Sequence, residues 1–278
     1  MLGRASHEDL KELVDGLNFA QKVERSLGLI RDAYEEFGSR LSVANSLGKD
    51  SMVVWHLAQR VSRSIGGFIV TTRFKPTETV QFMNQLVAQY PSLRVFRNDE
   101  PIPDKLYASD PDRCCDLLKV QPTRRAIDEM DVACWVTGLR CTEGRTRTDF
   151  REVEERDKGL IKLNPILIWQ EREVWQYLAL NSVPMNPLYA KGYRSLGCAP
   201  CTKIANGPDE RAGRWLGKVG RPTCGSRADW RLPSVPSAAW VTPKSILNRM
   251  FSEGPHREGL RRGPREMEGL VDIRERER

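Results

Sequence analysis

The chain predicts an α/β fold: a mainly parallel, twisted sheet with helices on both faces and a C-terminal extension. Strand-like apolar runs alternate with amphipathic helical runs from about residue 41 to residue 138, the order expected of βαβ units. Loops at Ser46–Ser51, Thr71–Thr77 and Leu139–Arg147 each follow a strand-like run. In open parallel sheets such loops lie beyond the carboxyl ends of the strands, where ligands bind, so all three are expected to face one site. The 278 residues, 40% of them hydrophobic, suffice for one large domain with appendages.

Each element has a local reason. Residues 8–37 read as one amphipathic helix, with Leu10, Leu13, Val14, Leu17, Val23, Leu27 and Ile30 at helical spacing. Leu41-Ser42-Val43-Ala44 reads as a short buried strand running into Asn45-Ser46-Leu47-Gly48-Lys49-Asp50-Ser51, and a helix follows from Met52 to about Arg63. Gly67 to Thr72 is the second strand. A helix from Thr77 to Tyr90 has Thr77 as its N-cap and Pro91 closing it. Leu93-Arg94-Val95-Phe96 is the third strand, Cys114 to Met130 is helical, and Ala133 to Gly138 is the fourth strand. Gly159 to Trp169 is a short extended segment containing Asn164-Pro165, and Glu171 to Asn181 is a helix. Beyond Arg231 the pattern decays. Prolines punctuate it, and Ser252 to Arg278 carries seven Arg and seven acidic residues, a composition suited to a mobile or docking segment. The expected domains are residues 1–231 and a 232–278 extension.

Composition narrows the function. The start, Met1 to Leu13, is polar, and no apolar run is long enough to span a bilayer, so no membrane role is expected. Seven cysteines, an odd number, fit a reducing cytoplasm better than a secreted disulfide framework. The net charge is +7, and residues 191–231 hold nine Lys or Arg against three acids, nearly the whole excess. That stretch suits an anionic substrate.

The cysteines carry the chemistry. Cys114 and Cys115 are adjacent, and Cys198 and Cys201 form a second pair in Gly197-Cys198-Ala199-Pro200-Cys201-Thr202. Four thiolates can close a shell around a [4Fe–4S] cluster or a zinc ion. Adjacent cysteines chelate one tetrahedral ion only with backbone strain but reach two irons of a cubane, which favours iron–sulfur. Cys134 lies in a strand and reads as core; Cys141 lies in a site-facing loop. His7, His56 and His256 have no ligand spacing, His56 reads as structural, and Trp169 and Trp175 read as core.

Ser46-Leu47-Gly48-Lys49-Asp50-Ser51, between a strand and a helix, can cradle a phosphate on backbone N–H groups. It resembles the Ser-Gly-Gly-Lys-Asp-Ser PP-loop of the adenine nucleotide alpha-hydrolase superfamily, with Leu47 in place of the first Gly. Cys114-Cys115-Asp116-Leu117-Leu118-Lys119-Val120-Gln121-Pro122 resembles the Cys-Cys-x-x-x-Lys-x-x-Pro segment of assimilatory sulfonucleotide reductases. Thr137-Gly138-Leu139-Arg140, Thr146-Arg147, Lys162-Leu163-Asn164-Pro165, Asn186-Pro187-Leu188, the segment from Gly192 to Thr202 and Glu210-Arg211-Ala212-Gly213-Arg214-Trp215 match further markers in order.

That resemblance implies reduction of adenylylsulfate to sulfite and AMP. By it, Cys114, Cys115, Cys198 and Cys201 ligate a [4Fe–4S] cluster. The loop residues Ser46, Gly48, Lys49, Asp50 and Ser51, with Lys119, Arg140, Arg147, Arg211 and Arg214, bind the substrate. The cluster would act by its charge and by organising Lys119. The family's nucleophile lies in Cys-Gly-(Leu/Ile)-His; here Cys224-Gly225 is followed by Ser226-Arg227, and Arg221 or Arg227 can lower the thiol pKa. Cys224 would form an S-sulfocysteine that a thioredoxin-like dithiol protein releases as sulfite. A homo-oligomer is compatible with this reading. The rival is an ATP-cleaving PP-loop enzyme of sulfur transfer to tRNA or DNA, or of sulfate adenylylation. Gly48-Lys49-Asp50-Ser51 suits it, and nucleic acid would be a partner only there.

Overall fold

The structure, a computed structural model, describes residues 7–143, 150–206 and 209–214. The single helix expected over residues 8–37 is two, α1 (His7–Gly16) and α2 (Phe19–Phe37). At the break the Asn18 side chain accepts from Gln21 N–H and the Gln21 side chain accepts from Asn18 N–H. This reciprocal capping box starts a new helix although the apolar periodicity runs on.

Strand β1 (Leu41–Ala44), helix α3 (Lys49–Val61), β2 (Gly66–Val70), α4 (Thr77–Gln89) and β3 (Leu93–Phe96) follow in the expected order. Helix α3 begins three residues earlier than Met52, and Pro76 rather than Thr77 caps α4. The stretch expected to be helical from Cys114 to Met130 is helical through Glu129 and changes helix type on the way. After α5 (Leu106–Ser109), α6 (Pro111–Cys115) runs into a π-helical turn, Asp116–Val120, and then α7 (Gln121–Glu129). Pro122 in the first turn of α7 has no N–H to give a carbonyl one turn back, so the α-type ladder cannot pass through. The chain continues as β4 (Cys134–Val136), β5 (Val153–Glu155), β6 (Ile161–Leu163) and α8 (Glu171–Leu180).

The six strands lie in the order β3-β2-β1-β4-β6-β5, and every neighbouring pair is parallel except β5 with β6. Val43 of β1 sits opposite Gly67 on one side and Val136 on the other. Helices cover both faces. On one, Phe68 and Phe96 pack with Ala126 of α7. On the other, Gly67 admits Trp55 of α3: a Cβ there would lie 2.8 Å from the indole and 2.7 Å from the Val43 carbonyl. Met52, Val53, Val54, Trp55 and Leu57 of α3 are all buried, each contributing roughly 1.5–3 kcal/mol of apolar burial. Strand order reverses around β1, with β2 on one side and β4 on the other. The loops after β1 and β4 therefore leave the sheet side by side, at the switch point where such folds bind ligands.

Two sequence markers fasten the frame. Asn164 accepts from Thr137 Oγ1 (2.6 Å) and donates to the Arg151 carbonyl and Glu154 Oε1 (both 2.7 Å), tying the end of β4 to β5. Asn186 donates to Thr79 Oγ1 of α4 and accepts from Leu188 N–H, holding the turn Pro187–Tyr189.

Candidate active site

The loop between β1 and α3 is held open by its own side chains. Asn45 Oδ1 accepts from Leu47 N–H (2.8 Å) and Ser51 Oγ (3.1 Å), and Ser51 Oγ also accepts from Ser46 N–H (3.2 Å). Leu47 adopts φ 66, a left-handed conformation that costs a non-glycine residue about 1–2 kcal/mol. Its side chain is buried at 1% exposure, and that burial offsets the strain. Gly48 is the N-cap of α3 but has no side chain to cap with; the Tyr189 hydroxyl does so instead, accepting from Lys49 N–H at 2.7 Å.

Gly138 brings the loop after β4 against this one. A Cβ on Gly138 would lie 2.8 Å from Asp50 C and Ser51 N, so only glycine allows the contact. Arg140, two residues on, is fully buried. Its Nε donates to Asp50 Oδ1 (2.5 Å), Nη1 to Thr142 Oγ1 (3.0 Å), and Nη2 to Glu210 Oε1 and Oε2 (2.8 and 2.6 Å). Lys49 Nζ donates to Glu210 Oε2 (2.8 Å) and the Arg194 carbonyl (3.2 Å), and lies 3.5 Å from Asp50 Oδ2. Trp175 and Tyr189 flank the ammonium at 6.0 and 5.9 Å, and their rings meet edge to face. Burial alone would push Lys49 down, but Asp50, Tyr189 and Glu210 outweigh it and hold the pKa above the usual lysine range. Burial likewise opposes the Asp50 carboxylate, yet Arg140 and Lys49 hold it below the usual carboxylate range. Two buried cations, Lys49 and Arg140, thus face two carboxyl groups, Asp50 and Glu210.

The four paired cysteines line one cavity. Cys114 and Cys115 come from α6 and Cys198 and Cys201 from the turn Ala199–Cys201 and its cap, with Phe74, Tyr107, Leu118 and Lys119 also in the wall. Cys114, Cys198 and Cys201 are buried, and none of the four is in a disulfide. The π-helical turn carries Lys119 to the cavity beside Cys115. The loop after β2 closes the other side: Ala199 N–H donates to the Phe74 carbonyl (2.8 Å), and Thr72 Oγ1 lies 3.3 Å from Cys198 Sγ. Lys75 in that loop is pushed down to about 8, by burial first, with Lys119 and Arg214 adding and Cys198 opposing. Among the described residues, no three His, Cys, Asp or Glu side chains form a site for a single metal ion.

The segment 209–214 joins the two regions. Thr202 pairs with Arg214 in an antiparallel bridge, and Lys203 N–H donates to the Gly213 carbonyl (2.8 Å). Arg211 pairs with Glu143 at 3.0 Å. The Arg214 guanidinium donates to the Leu196 carbonyl and lies against Gly197, where a Cβ would come within 2.7 Å of it.

The structure therefore gathers Ser46, Gly48, Lys49, Asp50, Ser51 and Arg140 at one loop pair, and the four cysteines with Lys119 at one cavity. Arg211 and Arg214 lie on the segment between. Arg147, Cys224 and the extension 232–278 lie outside the described residues. Of the remaining cysteines, Cys134 is buried in β4 and Cys141 is half-buried, and burial pushes both thiols up, away from the thiolate a nucleophile needs. Trp169 is buried core as expected; Trp175 is half-exposed and belongs to the Lys49 cage. His56 pairs with the Tyr177 hydroxyl at 2.9 Å, a structural contact. Glu210, Tyr189 and Lys75 were not singled out from the sequence. Glu210 meets Lys49 across 161 residues, and local pattern does not report such pairings.

The family pattern of the phosphoadenosine phosphosulfate reductase domain matches residues 40–204. The adenosine 5'-phosphosulfate reductase of Halalkalibacterium halodurans is 32% identical over 223 residues, 76% of this chain and 95% of its own. The phosphoadenosine 5'-phosphosulfate reductase of Gloeobacter violaceus is 30% identical, over 72% of this chain and 87% of its own. Among solved structures, the phosphoadenylyl-sulfate reductase of Candida auris superposes with a TM-score of 0.58 at 24% identity, covering 72% of this chain and 98% of its own. The FMN adenylyltransferase of Candida glabrata superposes with a TM-score of 0.53 at 14% identity, covering 71% of this chain and 72% of its own. At these identities the two structures speak to the fold alone.

Proposed function

This chain belongs to the phosphoadenosine phosphosulfate reductase domain family and is a sulfonucleotide reductase, and on that premise we propose that it reduces adenylylsulfate to sulfite and AMP, with a [4Fe–4S] cluster on Cys114, Cys115, Cys198 and Cys201. The single observation behind the proposal is the cavity lined by all four cysteines and Lys119. The donor set fits the group. Four cysteines outside any disulfide, three of them buried, face one space with largely apolar walls, the surroundings Fe–S clusters take. A cubane takes one sulfur per iron, so its ligands need not converge on one point as they must for a single ion. When bound, the cluster supplies fixed negative charge from its thiolates, and Lys75, Lys119 and Arg214 lie on its side of the site.

The chain's own residues do the rest. The loop Ser46–Ser51 receives the nucleotide phosphate at the start of α3, above the base formed by Lys49, Asp50 and Arg140. Lys119, Arg147, Arg211 and Arg214 hold the anionic phosphosulfate. The Cys224 thiolate attacks the sulfur, the bond from sulfur to the phosphate oxygen breaks, and AMP leaves with the electron pair, giving S-sulfocysteine. A thiolate of a thioredoxin-like protein then attacks the Cys224 sulfur and expels sulfite. Its second thiol resolves the mixed disulfide and returns Cys224 as a thiol. Described cysteines outside any disulfide suit a reducing, cytoplasmic setting. Among the described residues no helix is long and apolar enough to cross a membrane. Against ATP cleavage stands Asp50: with Arg140 and Lys49 on its oxygens, it is poorly placed to ligate Mg²⁺.

Anaerobically purified protein is expected to be brown with about four irons per chain, as Cys₄ ligation of a cubane requires, and Cys201→Ser to lose the colour. A colourless protein with one zinc per chain would contradict the cluster. Cys224→Ser should keep the cluster and sulfonucleotide affinity but stop sulfite release. Wild-type protein after one turnover without thioredoxin should carry a dithiol-labile sulfonate on Cys224; normal sulfite formation by the variant would remove Cys224 from the mechanism.

A further inference from the structure

Glu210 is the one residue of the segment 209–214 that reaches the nucleotide loop's charged base. It is 8% exposed and spans both buried cations, taking Lys49 Nζ on Oε2 and Arg140 Nη2 on both oxygens. With Asp50 it balances them, two carboxylates against two cations. A buried cluster of this kind is fully satisfied only while every member is present.

The same six residues carry two arginines, one on the β4 loop and one beside the cysteine turn. Arg211 is anchored to Glu143 of the loop after β4, and Arg214 to Gly197 and Leu196 ahead of the second cysteine pair. The segment thus touches the nucleotide loop through Glu210, the β4 loop through Arg211 and the cysteine turn through the Thr202–Arg214 bridge. Of these anchors, Glu210 is the one that meets two buried cations at once.

We propose that Glu210 is a positioning residue of the reductase: it staples the segment 209–214 to Lys49 and Arg140, and so fixes where Arg211 and Arg214 meet the substrate's anionic groups. The inference rests on the sulfonucleotide reading for its kinetic consequence, though not for the staple itself. It also assigns Lys49 and Arg140 a different emphasis. Their charge is matched within the protein, so they organise the site's base.

Two readouts on the full chain test this. The first needs no substrate. In Glu210→Gln the amides of Lys203 and Arg214, which donate to Gly213 and Arg211, should exchange with solvent at least tenfold faster, while amides of β1 and β2 keep their protection. Unchanged exchange overturns the staple whatever reaction the protein performs. The second is kinetic. Glu210→Gln should raise the KM for adenylylsulfate about tenfold or more with kcat within threefold, and Glu210→Asp, which keeps the charge, should recover most of the loss. A wild-type KM in Glu210→Gln, or kcat and KM both explained by a smaller folded fraction, overturns the positioning role. Should Glu210→Gln not fold, exchange in the wild type decides: Lys203 and Arg214 amides protected like those of β1 and β2 support the staple, and exchange at the rate of an unstructured peptide overturns it. Failure of the wild type to form sulfite would strike the reductase reading, and the exchange result would still decide the staple.

Discussion

At Leu47 the backbone takes a conformation suited to glycine and a leucine occupies it. The left-handed turn at φ 66 is the shape the loop requires, and the side chain is retained because it is buried. Leu47→Gly should relieve about 1 kcal/mol of strain and lose about 2–5 kcal/mol of buried side chain. The variant is therefore expected to unfold at a lower temperature, with sulfonucleotide binding retained. A raised unfolding midpoint in a thermal melt would show that the strain outweighs the burial. At this scale the sequence made the loop's cations and the cysteine pairs legible, because residue type alone limits their chemistry. It did not reveal that Glu210 would neutralise Lys49 and Arg140, or that Tyr189 would cap α3. Both pairings bridge more than a hundred residues and leave no local trace.

The elements that position the site were legible where one rule governs. The strands at Leu41–Ala44 and Leu93–Phe96 and the helix over Glu171–Leu180 follow from apolar periodicity and flanking turn residues. The misreadings arose where two rules compete. Periodicity carried the reading across the capping box at Asn18, and the helical reading over residues 114–130 gave no sign of the π-helical turn before Pro122. Strand β5 holds three residues, two of them glutamates, and pairs on one side only, so neither hydrophobic pattern nor propensity announced it. The contact of the β1 and β4 loops depends on one glycine. Gly138→Ala pushes a methyl into the Asp50–Ser51 backbone and should lower kcat/KM at least tenfold, about 1.4 kcal/mol or more, with the helical circular dichroism intact. Full activity in the folded variant would show that the two loops do not need that contact.

At the scale of the whole molecule, cysteines 84 residues apart in sequence come to one cavity, because α6 and the turn after α8 both lie against the loop that follows β2. Of the described cations in the basic stretch 191–231, Lys203, Arg211 and Arg214 lie along the strip from the cysteine turn to the nucleotide loop, while Lys191 and Arg194 pair with Glu78 and Glu171. A phosphosulfate anion suits such a strip. The measurement that tests the account most directly is incubation of the anaerobically purified full chain with adenylylsulfate and a reduced thioredoxin, and separately with ATP, following sulfite, AMP and pyrophosphate. The account predicts sulfite and AMP in equal amounts from adenylylsulfate, and no pyrophosphate from ATP. Steady pyrophosphate release from ATP with no sulfite from adenylylsulfate would contradict it.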